Sequence, residues 1–310
     1  NADIGYGLIL GADNSIHAVG SARVSGTTDF AVARYASDGT LGISGSLDVS
    51  FGTNGTVQFS IGATDQVRSM SFDDEKRILI GTYVSDMVVS RLLADGTLDT
   101  TFSTDGHSAT NFSGNDVLVV SYSLPGNRTL AMGRTGLAAT DCAAAQYLSD
   151  GSLDTAFAND GKNTFTALLQ CAPTGGFLVT DGKAVLLAQE ASATPNRGRA
   201  FRFLSSGFLD TSFSTDGLVS IPLGTYEETD SFTGAQMADG SLVLYGGVED
   251  DGSRVLNLSA AFRITNDGVT DTSFDTDGLY ADTTGSFNYI QLNDGRLDSQ
   301  ENSVVAGQHT

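Results

Sequence analysis

The sequence predicts an all-β chain, a β-propeller built from four-stranded antiparallel blades, and three observations predict it. Among its 310 residues 31 are Asp and only 6 are Glu, with 37 Gly and no Trp. Asp and Gly make turns whereas Glu favours helices, so turns are many and helices few. A twelve-residue motif recurs five times along the chain. Between its copies, short apolar runs ending on a small residue alternate with turn dipeptides, which is the pattern of hairpins.

The motif reads Asp-Gly-x-Leu-Asp-x-x-Phe-x-x-Asp-Gly in its clearest copies, 95–106 and 150–161. Its Phe column is Phe51, Phe102, Phe157, Phe213 and Phe274. An Asp stands three residues before each Phe (Asp48, Asp99, Asp154, Asp210, Asp271), and a Gly four residues after (Gly55, Gly106, Gly161, Gly217, Gly278). The first copy carries an insertion around 42–47, and the fifth has Thr270 where the others have Leu. A period of this length is the mark of stacked supersecondary units.

Each unit holds four short strands. A first apolar segment turns back into a second, such as Ile78-Leu79-Ile80-Gly81 or Val243-Leu244-Tyr245-Gly246, across a turn such as Asp239-Gly240. A third strand follows, as in Phe30 to Tyr35, and a fourth comes after the motif, as in Thr56 to Phe59. One such sheet cannot bury both faces alone, so neighbours must stack around an axis, as propeller blades do. The whole chain, 1–310, reads as one propeller domain with units at about 7–61, 62–112, 113–167, 168–223 and 224–284, and a half blade at 285–310. Five full repeats plus that half give six blades. The unfinished blade leaves open edges, which the stretch 1–6 is expected to help close, unless a neighbouring subunit or further chain does so.

The Arg column (Arg34, Arg91, Arg202 and Arg263, with Gln146 in the third copy), the Asp-Gly turn and the Leu-Asp-Thr-x-Phe-x-x-Asp-Gly segment together resemble the bacterial delta-sixty repeat. That resemblance runs from about Gly7 to Gly307. It implies an extracellular or cell-surface propeller of large secreted proteins, and it assigns no catalytic residues.

The candidate residues divide by chemistry. Each Arg of the column is expected to pair with the repeated Asp at a blade seam, since guanidinium and carboxylate form a fork-bonded pair; a ring of Arg holding an anion is the competing function. Turn-rich Asp suggests Ca²⁺, with Asp99 and Asp105, Asp154 and Asp160, and Asp275 and Asp277 as candidates. None of these segments has the spaced acidic loop with a closing Glu, so the expectation is no cofactor, with calcium as the alternative. Cys142 is placed at the start of the third strand of the third repeat and Cys171 at the end of its fourth. Antiparallel neighbours put those ends side by side, so a disulfide is expected, and with it an oxidising compartment; two buried thiols are the alternative.

Charge and motifs narrow the function. A formal net charge of −21 leaves no basic patch for nucleic acid or an anionic membrane, and no run of eighteen apolar residues spans a bilayer. His17, His107 and His309 are scattered, and no nucleophile elbow, phosphate loop or dinucleotide fingerprint occurs. The leading expectation is a non-enzymatic structural or interaction protein outside the cell, self-associating or meeting other surface proteins and glycans. Its sharper form is the subunit of a filament built by strand complementation. The alternative is a carbohydrate- or ligand-binding, lectin-like propeller. A propeller-fold hydrolase comes third, with Tyr226 to Asp230 and Glu249 to Asp251 as its least repetitive acidic stretch.

Overall fold

The computed structural model describes every residue except 1–2, 25, 37–45, 63–64, 137–140, 166–169, 191–196, 222–225, 227–228, 250–257, 283–289, 298–299, 302 and 310. Asp38-Gly39 and most of the first-copy insertion lie outside the described residues. The chain is all-β, and its described residues form five four-stranded sheets and one two-stranded sheet, each in simple sequential strand order. The first sheet contains β1 (Ile4–Leu10), β2 (Ile16–Val24), β3 (Thr27–Tyr35) and β4 (Thr56–Phe59). The second contains β5 (Gln66–Phe72), β6 (Ile78–Tyr83), β7 (Met87–Leu92) and β8 (His107–Thr110). The third has β9 (Val117–Leu124), β10 (Arg128–Thr135), β11 (Asp141–Tyr147) and β12 (Lys162–Phe165). The fourth has β13 (Cys171–Leu178), β14 (Ala184–Glu190), β15 (Arg197–Phe203) and β16 (Leu218–Ser220). The fifth has β17 (Thr229–Gln236), β18 (Leu242–Val248), β19 (Leu258–Ile264) and β20 (Leu279–Ala281). Last come β21 (Ile290–Leu297) and β22 (Ser303–His309), which among the described residues pair with each other.

All six hairpins opening a repeat carry a bulge, as between Gly5 and Gly7, Val67 and Ser69, and Leu292 and Asp294. An extra residue there bends the strand and raises its twist. The first bulge corrects the expectation for the N-terminus. Ile4 pairs with Ser21 and Leu10 with Ile16, so these residues form the opening strand of the first sheet and are not available to complete the two-stranded one.

The motif closes each sheet by backbone bonds that repeat from copy to copy. In the second sheet Asp99 N donates to Arg91 O at 2.9 Å, Phe102 N to Asp99 O at 3.0 Å and Gly106 N to Phe102 O at 2.7 Å. Gly106 is required by conformation as well as space: its φ is +84°, and a Cβ there would meet Leu98 Cγ at 2.4 Å. A bridge pairs the motif's Leu with the strand carrying the Arg, as Leu92 with Leu98, and Thr270 replaces Leu in the fifth copy without losing it (Ile264 with Thr270).

The chain falls into two compact units, 1–137 with 143–162, and 138–142 with 163–310. In the first, the sheets pack face to face through two cores: Val32, Phe51, Val67 and Ile80 in one, Leu79, Phe102, Leu118 and Tyr147 in the other. In the second, Val185, Phe213, Leu244 and Phe262 do the same for the fourth and fifth sheets. At about 25 cal/mol per Å² of apolar surface removed from water, this inter-sheet burial is the main stabilising term.

Cys142 is bonded to Cys171. The partners are those expected, but the strand assignment is not. The fourth strand of the third sheet ends at Phe165, and Cys171 is the first residue of β13. The bond therefore joins the third strand of one repeat to the first strand of the next.

Candidate functional site

The Arg and Asp columns come together in every repeat. Each motif Asp uses one oxygen to accept the backbone N–H two residues on, as Thr101 N at 3.1 Å and Ser212 N at 3.1 Å, which holds the turn. The other oxygen faces the Arg. Arg91 Nε lies 2.7 Å from Asp99 Oδ2, Arg202 Nε 2.8 Å from Asp210, and Arg34 Nε and Arg263 Nε each 3.2 Å from Asp48 and Asp271. In the third copy Gln146 Nε2 donates to Asp154 at 2.7 Å.

Each of three guanidinium groups also reaches a carbonyl of the following sheet's turn. Arg34 donates to Ala94 O at 3.3 Å, Arg91 to Ser149 O at 2.5 Å, and Arg202 to Asn266 O. Arg91 and Arg202 are almost wholly buried and lie over Phe102 and Phe213, 4.6 and 4.4 Å from the ring centroids. The expected fork is not formed: each guanidinium gives its carboxylate one bond through Nε and sends its terminal nitrogens to a carbonyl and a hydroxyl, so that a cation stacked on an aromatic face plugs the seam between two sheets.

The seam of the first and second sheets is built differently. Arg34 is drawn outward by Asp13, whose Oδ2 lies 2.7 Å from its Nη2, and its side chain is 20% exposed. The place over Phe51 is taken by His17, whose ring meets Phe51 and Phe72 edge-on at centroid distances of 5.7 and 5.0 Å. His17 sits opposite Arg34 in the β2–β3 register. The residues opposite the column elsewhere are apolar: Leu79 facing Arg91, Val185 facing Arg202 and Val243 facing Arg263. Arg263 is also drawn out, by Asp239 at 2.5 Å, but no histidine accompanies it.

The His17 side chain is buried, and its Nδ1 has no hydrogen-bond partner. Burial, reinforced by the Arg34 charge, lowers its pKa, so the imidazole is neutral at physiological pH. An enclosed acceptor without a partner is better tolerated than an enclosed N–H, which favours the tautomer with its hydrogen on Nε2. Asp13 is held ionised: the Ser15 hydroxyl and backbone N–H, together with Arg34, bring its pKa down to about 2. These groups line a cleft of about 190 Å³ together with Gly11, Phe72 and Lys76.

Five of the six calcium candidates have partners within the chain. Asp99 and Asp154 hold Arg91 and Gln146, while Asp105, Asp160 and Asp277 accept the backbone N–H groups of His107, Lys162 and Leu279. Among the described residues no group of three or more His, Cys, Asp or Glu could hold a metal ion. Of the acidic stretch named for a hydrolase, 227–228 and 250–251 lie outside the described residues, and Glu249 is buried. Sequence reasoning missed His17 as a site residue. The signal was present, an imidazole inside an apolar run that holds none in the sister repeats.

Residues 11–41 and 76–102 match the model of a family described as a domain of unknown function (DUF5122) beta-propeller, so the repeat is of propeller type. No curated protein matches the sequence. Among solved structures, a protein of unknown function from Dyadobacter fermentans DSM 18053 is 9% identical with a TM-score of 0.53, covering 99% of this chain and 94% of that one. The polysaccharide lyase Uly1 is 9% identical with a TM-score of 0.53, covering 99% of this chain and 81% of that one. An endo-arabinase from Bacteroides thetaiotaomicron VPI-5482 matches at 10% identity and a TM-score of 0.45, covering 78% of this chain and 87% of that one, too loosely to carry an argument. The expectation of a chain without enzymatic activity is corrected here. The fold is shared with a polysaccharide lyase along nearly its whole length, and so is compatible with catalysis.

Proposed function

We propose that this chain is an extracellular six-bladed propeller of the delta-sixty kind that binds saccharide in the seam cleft of its first two sheets. The observation that carries the reading is His17, a neutral polar ring set into a column that is otherwise apolar, beside a partly exposed Arg34. Scaffolding repeats, whereas a ligand site needs one copy. The cleft offers what a sugar uses: the Phe72 ring beside the His17 ring, the ionised Asp13 as acceptor for hydroxyls, and Arg34 as donor. At 190 Å³ it falls short of the roughly 300–1,000 Å³ of drug-sized pockets and suits one ring of a chain. The polysaccharide lyase of like fold supports the class of ligand, and the disulfide supports the compartment.

The test is a glycan array probed with the full chain and with His17→Leu, which gives the first sheet the residue that faces Arg91 in the second. Saccharide binding by the parent that is lost in a folded His17→Leu is the expected result. Equal binding by both would place the site elsewhere. Cleavage of the bound glycan is a second reading, favoured by the lyase likeness, and is read in the same samples as new chain ends. A strand-exchanged filament rests on the two-stranded sheet of β21 and β22 alone.

A further inference from the structure

In three seams the x-Asp-Gly turn of one repeat is seated on the motif of the repeat before it. Between the first and second sheets, Arg34 Nη1 donates to Ala94 O at 3.3 Å and Gly52 N to Asp95 O at 2.7 Å. Between the second and third, Arg91 Nη1 donates to Ser149 O at 2.5 Å and Ser103 N to Asp150 O at 2.7 Å. Between the fourth and fifth, Arg202 Nη1 donates to Asn266 O, and Ser214 N to Asp267 O at 2.8 Å. The glycine of each turn is pressed onto the motif Phe: a Cβ at Gly96, Gly151 or Gly268 would meet Phe51, Phe102 or Phe213 at 2.9, 3.1 and 3.0 Å. Their φ values of +87°, +85° and +80° also call for glycine. The residue six places after the Phe flanks the turn, as Val57 beside Gly96, Val219 beside Gly268, and Ser108, whose hydroxyl donates to Gly151 O at 2.6 Å.

The fifth sheet has the same seat. Asp271 N donates to Arg263 O at 3.0 Å, Gly278 N to Phe274 O at 2.7 Å, and Arg263 Nε lies 3.2 Å from Asp271. The next strand, β21, lies against β17 and β18. Among the described residues no turn comes onto the motif. Arg263 gives Nε to Ser241 and Nη2 to Asp239, while its Nη1 meets no carbonyl there, and Asp275 N, the counterpart of Gly52, Ser103 and Ser214, meets no acceptor. Phe274 is half-buried, whereas Phe51, Phe102 and Phe213 are wholly buried. Tyr280 stands six places after Phe274 and is 48% exposed, against 5% for Val219. Two donors aimed past an aromatic ring suit two successive carbonyls and an α-carbon that bears no side chain.

We infer that the motif end of the fifth sheet is a docking site for a second, different polypeptide, which seats an x-Asp-Gly turn there. The carbonyl of x takes Arg263 Nη1, the carbonyl of the Asp takes Asp275 N, and the glycine lies on Phe274 beside Tyr280. The three seated turns define that chemistry, and they are themselves engaged by the repeat before them, so the occupant is a separate protein built from the same repeat. The strand leading into its turn adds backbone bonding of the kind by which sheets recognise extended segments. The inference stands apart from the saccharide reading of the cleft between the first two sheets.

The experiment titrates the full chain with a synthetic peptide of sequence 87–110, which spans β7, the turn at 94–96 and β8, and follows amide hydrogen exchange at Asp275 by NMR. The expected result is one-to-one binding, with exchange of the Asp275 amide slowed about tenfold or more at saturation. Gly96→Val in the peptide, which leaves the protein untouched, is expected to weaken binding by about tenfold or more, since its side chain meets the ring. In the protein, Tyr280→Ser alters an exposed side chain, and Arg263→Gln keeps the hold on Asp271 as Gln146 holds Asp154. Each is expected to weaken the peptide by several fold. No binding, or binding that Gly96→Val and both protein variants leave unchanged, would overturn the inference. Self-association of the chain without peptide, with the Asp275 amide protected in the oligomer, would give the place to a second copy and overturn the separate partner.

Discussion

Arg91 donates through Nε to Asp99 Oδ2 at 2.7 Å, both side chains almost wholly buried, with the guanidinium 4.6 Å above the centre of Phe102. A buried pair of this kind is costly to break from one side, because the surviving charge stays in the interior without its counter-ion. Arg91→Ala is therefore expected to destabilise the protein by about 3–5 kcal/mol. Arg91→Gln should cost less, about 1–2 kcal/mol, because the third repeat already holds its Asp154 with Gln146 and a second cation, Arg128, at 3.7 Å. The second repeat has the matching second cation in Arg77, 3.8 Å from Asp99. Urea unfolding of the two variants side by side checks the order; equal losses would mean the amide cannot stand in.

His17 makes the pH dependence of the first sheet distinctive. Burial lowers the pKa of His17 and of His107 below the ordinary value of 6.5. Between the folded and unfolded values the unfolded chain binds more protons, so stability rises with pH through that window and falls as pH drops below about 6.5. His17→Leu removes one of the two contributions and also an enclosed nitrogen without a partner. The expected outcome is a protein at least as stable as the parent at pH 7 and less sensitive to the step from pH 7 to 5, measured by thermal melts across that range.

The Asp column sets a second, more acidic limb. Burial raises the Asp210 pKa, but the Ser212 hydroxyl, Lys183, the Ser212 N–H and Arg202 outweigh it, and the carboxyl ends well below its usual range. Asp99 is likewise pushed up by burial and brought down further by Thr101 and Arg91. A depressed carboxyl contributes fully above its unfolded value of about 3.9 and loses that contribution as pH falls through the folded one. Stability should thus decline steeply below about pH 4, and Asp210→Asn, less stable at neutral pH, should show a shallower decline. A parent-like slope in the variant would remove Asp210 from the acid limb.

The motif turn carries two consecutive residues of positive φ in four copies: Ser103 and Thr104, Ala158 and Asn159, Ser214 and Thr215, Asp275 and Thr276. A β-branched residue is poorly suited to that region, whereas Asn enters it readily. Thr104→Asn, Thr215→Asn and Thr276→Asn copy the third repeat and are each expected to add about 0.5–1 kcal/mol, close to additively because each sits in the motif turn of a different sheet. Differential scanning calorimetry of the triple variant should show a rise of several degrees.

Much of the fold was legible because the repeat is written in residues with narrow physical roles. Gly106 and its counterparts mark positive φ, Phe102 and its counterparts a core position, and Asp99 a turn that also receives an arginine. The four-strand unit and the cysteine pair follow from that arithmetic. What stayed hidden depends on register. Ile4 to Tyr6 look like a spare strand until the bulge at Gly5 and Gly7 shows the opening strand continuing through them. Cys171 looks like the end of a long strand that in fact stops at Phe165. His17 looks like one of three scattered histidines until the β2–β3 pairing sets it opposite Arg34.

The bond between Cys142 and Cys171 closes a covalent loop over a sequence separation of 29 residues. A protease that cuts the backbone anywhere inside that loop yields a chain with four termini that is still one molecule. Fragments separate only when a reductant follows the protease. On a gel, such nicked material would run as a single species until thiol is added, and would then split near the middle of its length. Outside the cell, where hydrolases are plentiful and reductants scarce, a cut in this segment leaves the protein physically joined.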